Sequence, residues 1–359
     1  MDRRDFLLRS TLGGIGAAFT AGLAAQDNEN LNSLITAETQ EAIDKGLEYL
    51  ASHQAADGSM GSRQLQSNVA VTSLGGLAFM ASGSQPGRGK YGSNVRKALE
   101  AVLASEERGT PGFLNTRGHG GFHGPMYGHG FATLFLAEVH GMVNQPALRN
   151  QLRATLGRAV NLIINGQNHR GGWRYRPRDG DDDISATICQ IMALRAARNA
   201  GITVPKTTAD RCIQYVKNCQ DPNSGGFRYQ PGLGPAGFAR TAAGIVALYS
   251  AGLYDDDTIK KGLDYLKRFQ PGGNQGFFGN AEMQMHYYYG HYYAAQAMWI
   301  AGPAHFGPWY RAIRDELLRR DRNRADGSWF NGQFCPEYCT AMALIVLQIP
   351  NNYLPILHR

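Results

Sequence analysis

The sequence predicts an all-α fold, an (α/α)6 toroid of six helix-pair repeats, on three observations. Six segments share one plan at a spacing of about 50 to 60 residues, the length of two helices and two loops. Within each segment an amphipathic helix alternates with a helix that is apolar nearly all round. Between them stands a turn in which Gly leads to a large apolar or aromatic residue.

The elements follow in order. The chain opens with "MDRRDFLLRSTLGGIGAAFTAGLAAQ", in which Arg3 and Arg4 precede a small-residue apolar stretch; this is a twin-arginine export pattern over residues 1–25. Residues 26–40 read as a linker and 41–359 as one toroid domain. The first helices of the six repeats end near Gln or an equivalent: Gln54, Glu107, Gln167, Gln220, Gln270 and Arg322. Their outer faces are charged, as in "IKKGLDYLKRF". The turns that follow place Met60, Phe122, Trp173, Phe227, Phe277 and Trp329, where glycine permits a tight backbone and the large side chain plugs the gap between helices. The second helices, such as "ISATICQIMALRAARNAG" and "HYYAAQAMWIAG", are rich in Ala and Gly and are expected inside. Six outer–inner pairs without a strongly polar terminal repeat imply a closed ring instead of an open stack.

Bulk composition narrows the function. The formal charge is +7, spread thinly, and the longest basic block is "RRDRNR" around Arg319 to Arg324. A nucleic-acid binder concentrates its charge on one stripe, so that class is excluded. The five cysteines, at irregular spacing, do not form a disulfide framework. No continuous exposed apolar helix marks a membrane-lying segment, and peripheral membrane contact stays open.

In a closed ring the inner helices point the same way, and their N-termini, which favour anions, meet at one mouth. The residues expected there are Tyr127 and His129, Asp179 to Asp183, Phe238 and Arg240, His286, Tyr287, Tyr288, Tyr289, His291, Tyr292 and Tyr293, and Glu337 and Tyr338. Cys335 and Cys339, four apart, share a helix face and are candidate metal ligands beside Glu337, His286 and His291; core cysteines are the competing reading. Four aspartates within "RPRDGDDDIS" admit four readings: a helix cap at Asp183 with neighbours favouring the dipole, a cation site, a catalytic acid, or a partner surface. Clustered carboxylates cannot all ionise, so one of them gains a raised pKa.

Helix, Gln, short loop and Gly-x-Trp/Phe resemble the QW-type repeat of squalene-hopene and other terpene cyclases, best in "KGLEYLASHQAADGSM" and "KKGLDYLKRFQPGGNQGF". Protein prenyltransferase β subunits share that toroid, and the chain looks like the bacterial proteins with prenyltransferase and squalene oxidase repeats. Asp179-Gly180-Asp181-Asp182 spells the D-x-D-D pattern of the protonating cyclases. The resemblance implies an acid that protonates an alkene or epoxide and aromatic faces that stabilise the cation. It implies an isoprenoid or lipid ligand; the prenyltransferase branch would hold zinc. Three features depart from the pattern. Ala193-Leu194 follows Asp183 by ten residues, the chain has length for one toroid only, and Arg174, Arg176 and Arg178 stand beside the acids. No cofactor is assigned, and the oligomeric state is not readable.

Three functions follow, each with its own geometry. An isoprenoid-handling or cyclising protein needs a deep aromatic cavity. A non-catalytic binding or scaffolding module needs a plugged or shallow one. A polysaccharide lyase or glycosidase needs an open polar cleft, with Arg240, Tyr288 and His291 as possible members.

Overall fold

A computed structural model describes residues 33–116, 124–272, 284–321 and 325–358. These residues form twelve α-helices and no β-strand. In chain order they are α1 (Ala37–Ser52), α2 (Val69–Ala81), α3 (Gly92–Ala104), α4 (Pro125–Val139), α5 (Pro146–Gly166) and α6 (Ile184–Asn199). Then come α7 (Lys206–Asn218), α8 (Phe238–Ala251), α9 (Asp257–Lys267), α10 (Tyr287–Ala301), α11 (Pro303–Asp321) and α12 (Pro336–Gln348). The even-numbered helices form the inner ring: each packs on the next, and α12 returns to α2. The odd-numbered helices lie outside, and α11 returns to α1. The architecture is the (α/α)6 toroid that the repeats predict. Its first helix starts at Ala37, inside the segment expected to be linker.

Burial follows the two helix types. In α1 the buried set includes Ala42, Ile43, Gly46, Leu47 and Leu50, a single stripe at helical spacing. In α6 every residue from Ala186 to Leu194 is buried. None of the described helices is long and apolar enough to cross a membrane.

One hydrogen-bonded frame recurs between the layers. The wedge residues Met60, Leu114, Trp173, Phe227 and Trp329 are all buried. The amide N–H of Met60 donates to Thr72 Oγ1 at 2.9 Å, Trp173 to Thr187 at 3.1 Å, Phe227 to Thr241 at 2.9 Å and Trp329 to Thr340 at 2.9 Å. An inner-helix threonine thus satisfies an amide that the wedge buries. The glutamine closes the same turn from outside. Gln167 Nε2 donates to the carbonyls of Gly171 (2.9 Å) and Thr208 (3.0 Å), the second at the start of the next outer helix. Gln54 and Gln220 do the same to Gly58 and Asn94, and to Gly225 and Thr258. Gly171 has φ +97°, and a Cβ there would strike the Arg211 carbonyl oxygen, so both turn conformation and packing demand glycine.

Repeat two corrects the sequence reading. Its turn glycine is Gly112, φ +86°, packed on the Arg158 backbone, and its wedge is Leu114. The residue replacing Gln is Glu106, one before Glu107; it accepts from Gly112 N–H at 2.8 Å and takes Arg158 in a fork at 2.6 Å on both arms. Here His129 replaces the threonine: its Nδ1 accepts from Leu114 N–H at 3.2 Å. The wedge expected at Phe122 lies outside the described residues, as do Phe277 and Arg322.

The C-terminal segment covers the end of the ring where the inner helices finish. Leu354, Ile356 and Leu357 are buried there; Ile356 N–H donates to Glu138 Oε2 at 3.2 Å and Trp299 Nε1 to the Leu357 carbonyl at 3.1 Å. Burial pushes the Glu138 carboxyl up to about 8.

Candidate functional site

The Asp cluster sits on the loop between α5 and α6. Asp183 N–H donates to the Trp173 carbonyl at 3.0 Å, so this pair pinches off residues 174–182 as a loop. The base of the loop is set by Asn168, whose Oδ1 accepts from Arg170 N–H at 3.0 Å and Gly172 N–H at 3.1 Å. Arg178, at its tip, has φ +60°. The chain enters α6 extended, with Asp183 at φ −151° and ψ 158°, so consecutive side chains leave on opposite sides.

Three neighbouring carboxylates therefore meet three environments. Asp182, fully buried, turns back into the layer between helices, where Oδ2 accepts from Asn168 Nδ2 at 2.5 Å and Arg170 Nε at 2.7 Å. Asp181, half exposed, accepts from Arg170 Nη2 at 2.9 Å and Gln230 Nε2 at 2.8 Å and faces Arg174 Nη1 at 3.3 Å. Burial works against its charge, but the Asp182 backbone N–H and Arg174 hold its pKa below the ordinary value. Asp183, buried, caps α6: Oδ1 accepts from Ala186 N–H at 2.7 Å. The hydroxyls of Tyr127 and Tyr229 reach its two oxygens at 3.5 and 3.4 Å, and Arg174 Nη1 stands 4.0 Å away. Burial raises the Asp183 carboxyl to about 6 against the pull of the Ala186 amide and Arg174. Asp179, half buried, joins none of these contacts among the described residues.

Arg174 organises the mouth. Its guanidinium lies over the rings of Tyr175 (4.4 Å) and Tyr229 (5.4 Å) and donates to the Asp182 carbonyl at 2.9 Å. The Tyr175 and Tyr229 hydroxyls bond to each other, and the Tyr127 ring lies 6.0 Å from Tyr175. Below them tyrosines pack on one another and on the inner helices. Tyr289 donates to the Ser185 carbonyl at 3.2 Å, and Tyr293 meets Cys189 Sγ at 3.5 Å. Tyr292 packs on Tyr293 at 4.8 Å and on Phe131 at 6.1 Å. Tyr127, Tyr289 and Tyr338 keep a minor part of their surface exposed; Phe131, Tyr292 and Tyr293 are buried.

The expected mouth residues divide accordingly. Tyr127, Asp181, Asp183 and Tyr338 belong to the mouth, and Tyr292 lies beneath it. His129 faces the repeat-two turn, with its pKa lowered to about 4 by burial. Phe238 and His291 point between the layers: their rings are 5.0 Å apart, and Trp309 of α11 lies 6.2 Å from each. Tyr288 is buried against Tyr287 at 5.0 Å, and His286 is the half-buried N-cap of α10. Arg240 folds back over Gly237 at its own helix start. Glu337 is buried and accepts from Ser62 Oγ at 2.8 Å, which ties repeat six to repeat one. Cys335 and Cys339 are buried thiols, and burial raises Cys335 to about 12. Among the described residues no three His, Cys, Asp or Glu side chains are grouped to hold a metal. The sequence reading missed Tyr175, Tyr229 and Gln230. A signal for two of them existed: "GGWRY" and "GGFRY" put an Arg-Tyr pair after the wedge in both repeats three and four.

No family model and no curated protein sequence matches the chain. Solved structures do match. An inactive variant of an α-1,6-mannanase of Salegentibacter, in complex with α-1,6-mannotriose, has a TM-score of 0.60 at 8% identity and covers 87% of this chain and 98% of its own. The type II terpene cyclase MstE of Scytonema, with its product merosterolic acid A, has a TM-score of 0.59 at 15% identity and covers 89% and 98%. A protein from Actinoplanes has a TM-score of 0.58 at 14% identity and covers 88% and 99%. At these identities the shared property is the fold: the chain is an all-α toroid with the architecture of these structures.

Proposed function

We propose that the chain is an exported, non-catalytic binding toroid whose mouth takes a saccharide. One observation carries this reading: the tyrosines gathered around Arg174 keep part of their surface exposed, while Phe131, Tyr292 and Tyr293 beneath them are buried. Tyr127, Tyr175, Tyr229, Tyr289 and Tyr338, each mostly buried with a minor part of its surface exposed, offer edges for sugar rings, and Arg174, Asp181 and Gln230 offer donors and acceptors for hydroxyls. The acids speak for binding because each of Asp181, Asp182 and Asp183 already serves a structural partner. The same fold carries mannotriose in the mannanase complex. The twin-arginine pattern in residues 1–25 supports an exported chain, which would meet saccharides outside the cytoplasm. The test is calorimetric titration of mature protein with neutral oligosaccharides, α-1,6-mannotriose first. Saturable binding that weakens at least tenfold in Arg174→Gln and Tyr229→Ala, without sugar turnover, supports the reading; unchanged binding in both variants, or none in the wild type, ends it.

The isoprenoid reading has one observation of its own. Asp183 holds a proton more tightly than an ordinary carboxyl and faces the tyrosine-lined axis, the combination that acid-initiated cyclisation uses. It requires the packed tyrosines to move aside for a ligand. A co-purifying isoprenoid in native mass spectrometry, with turnover lost in Asp183→Asn, would replace the saccharide reading.

A further inference from the structure

A cleft of about 770 Å3 lies beside the mouth, between residues 107–113, the exposed side of α5 and the tip of the loop that bears the Asp cluster. That volume suits a small ligand. Arg158, Asn161, Leu162 and Asn165 line one wall, at the three- and four-residue spacing of one helix face. Arg176 and Arg178 line the other.

The charges in the cleft are unequal. Arg158 is committed to Glu106 by two 2.6 Å contacts. Glu107 accepts from Asn115 Nδ2 at 2.7 Å and is the one unneutralised carboxylate of the lining. Against it stand Arg176 and Arg178, both exposed, and neither has a salt bridge or hydrogen bond from its side chain among the described residues. Arg178 is held at φ +60°, a conformation a long side chain adopts only at a cost, and it directs a second guanidinium to the same cleft. Two guanidiniums with the amides of Asn161 and Asn165 form a set that suits an oxyanion. Leu162, Phe113 and Pro125 supply an apolar floor for the ring that carries it.

We infer that this cleft is a second binding site, for a sugar bearing an oxyanion, phosphate or carboxylate. It goes beyond the mouth site and uses none of its side chains. Arg174 enters the mouth from the same loop that delivers Arg176 and Arg178 to the cleft, so the sites share a backbone and separate by side chain.

The experiment is titration of the mature protein with glucose 6-phosphate, glucuronate, glucose and inorganic phosphate, repeated with Arg176→Gln/Arg178→Asn and with Arg174→Gln. Asparagine accepts φ > 0, so the double variant keeps the loop. The expected result is saturable binding of glucose 6-phosphate or glucuronate at least tenfold tighter than glucose, lost at least tenfold in the double variant and retained in Arg174→Gln. The preferred anion tells phosphate from carboxylate. Binding of glucose as tight as the charged sugars, indifference to the double variant, or no saturation by either charged sugar overturns the inference. Inorganic phosphate binding as tightly as glucose 6-phosphate would remove the sugar and overturn it also. Failure here with mannotriose still bound at the mouth leaves the proposed function standing, and the converse holds.

Discussion

Repeats three and four carry the same frame and different chemistry. In both, an amide N–H before the inner helix donates to the wedge carbonyl: Asp183 to Trp173 at 3.0 Å and Gly237 to Phe227 at 3.2 Å. In both, a threonine takes the wedge amide and a glutamine closes the turn. Yet Asp183 caps α6 with its side chain, whereas Gly237 starts α8 with none. One residue earlier, Asp182 in repeat three corresponds to Ala236 in repeat four, each with its Cβ against the second turn glycine. The fold therefore does not demand carboxylates at these places. It demands the wedge, the threonine and the glutamine, and repeat three adds its acids on top.

The largest effect expected from this contrast is at the wedge. Trp173→Ala and Phe227→Ala should each lower unfolding free energy by about 3–5 kcal/mol, measured by urea titration. Trp173 loses more, because its Nε1 also donates to the Ile163 carbonyl at 2.7 Å. A larger loss at Phe227 would mean that the two repeats do not share one frame. Next come Thr187→Val and Thr241→Val, which leave a buried amide without its acceptor and should cost about 1–3 kcal/mol each. Equal costs confirm the equivalence; a cost at one site only breaks it.

Asp182→Ala imports the repeat-four residue into repeat three. It removes an acceptor from Asn168 and Arg170, of which Arg170 remains partly in water, so about 1–2 kcal/mol is expected. Thermal unfolding against Asp181→Ala, whose carboxylate is half exposed, sharpens this: the exposed acid should cost less than about 1 kcal/mol. A reversal would place the structural load at the rim.

The division between frame and addition explains what the sequence made legible. The frame recurs from repeat to repeat among the described residues, so Gln54, Gln167, Gln220, Trp173 and Trp329 announce themselves by periodicity. Periodicity failed at repeat two, where His129 accepts the wedge amide in place of Thr and Glu106 replaces the donating amide of Gln by a carboxylate that accepts from Gly112 N–H and Arg158; residue-type matching cannot see either exchange. The mouth was legible only as a set of helix starts. Which way each side chain points depends on helix rotation: His291 and Phe238 turn toward Trp309, while Tyr289 and Tyr293 turn to the axis. A cluster of adjacent tyrosines and histidines covers every direction around its helix and does not encode that choice. The opposed sides of Asp182 and Asp183 were in principle readable from the two-residue period of extended chain, had the loop before α6 been assigned as extended.

The smallest effect is the most specific to Asp183. At neutral pH, Asp183→Gly copies Gly237 and should cost only a few tenths of a kcal/mol as a cap. Its signature is the pH dependence. The folded carboxyl is raised by burial from an ordinary 3.8 to about 6, so between those values the folded chain holds a proton that the unfolded chain has released. This contribution is complete below the lower value and is lost as pH rises through the upper one. His129, lowered to about 4, acts in the opposite sense over an overlapping range, and Glu138, raised to about 8, extends the fall to higher pH. Only the difference between wild type and Asp183→Asn isolates the one group, because asparagine keeps the cap and does not titrate. Urea midpoints at pH 4, 5, 6 and 7 should show the variant gaining on the wild type across the middle of that interval and then running parallel. Parallel curves throughout would mean that Arg174 and the α6 amides outweigh burial, leaving Asp183 an ordinary cap and removing the support that its raised pKa gives to proton-transfer chemistry at the mouth.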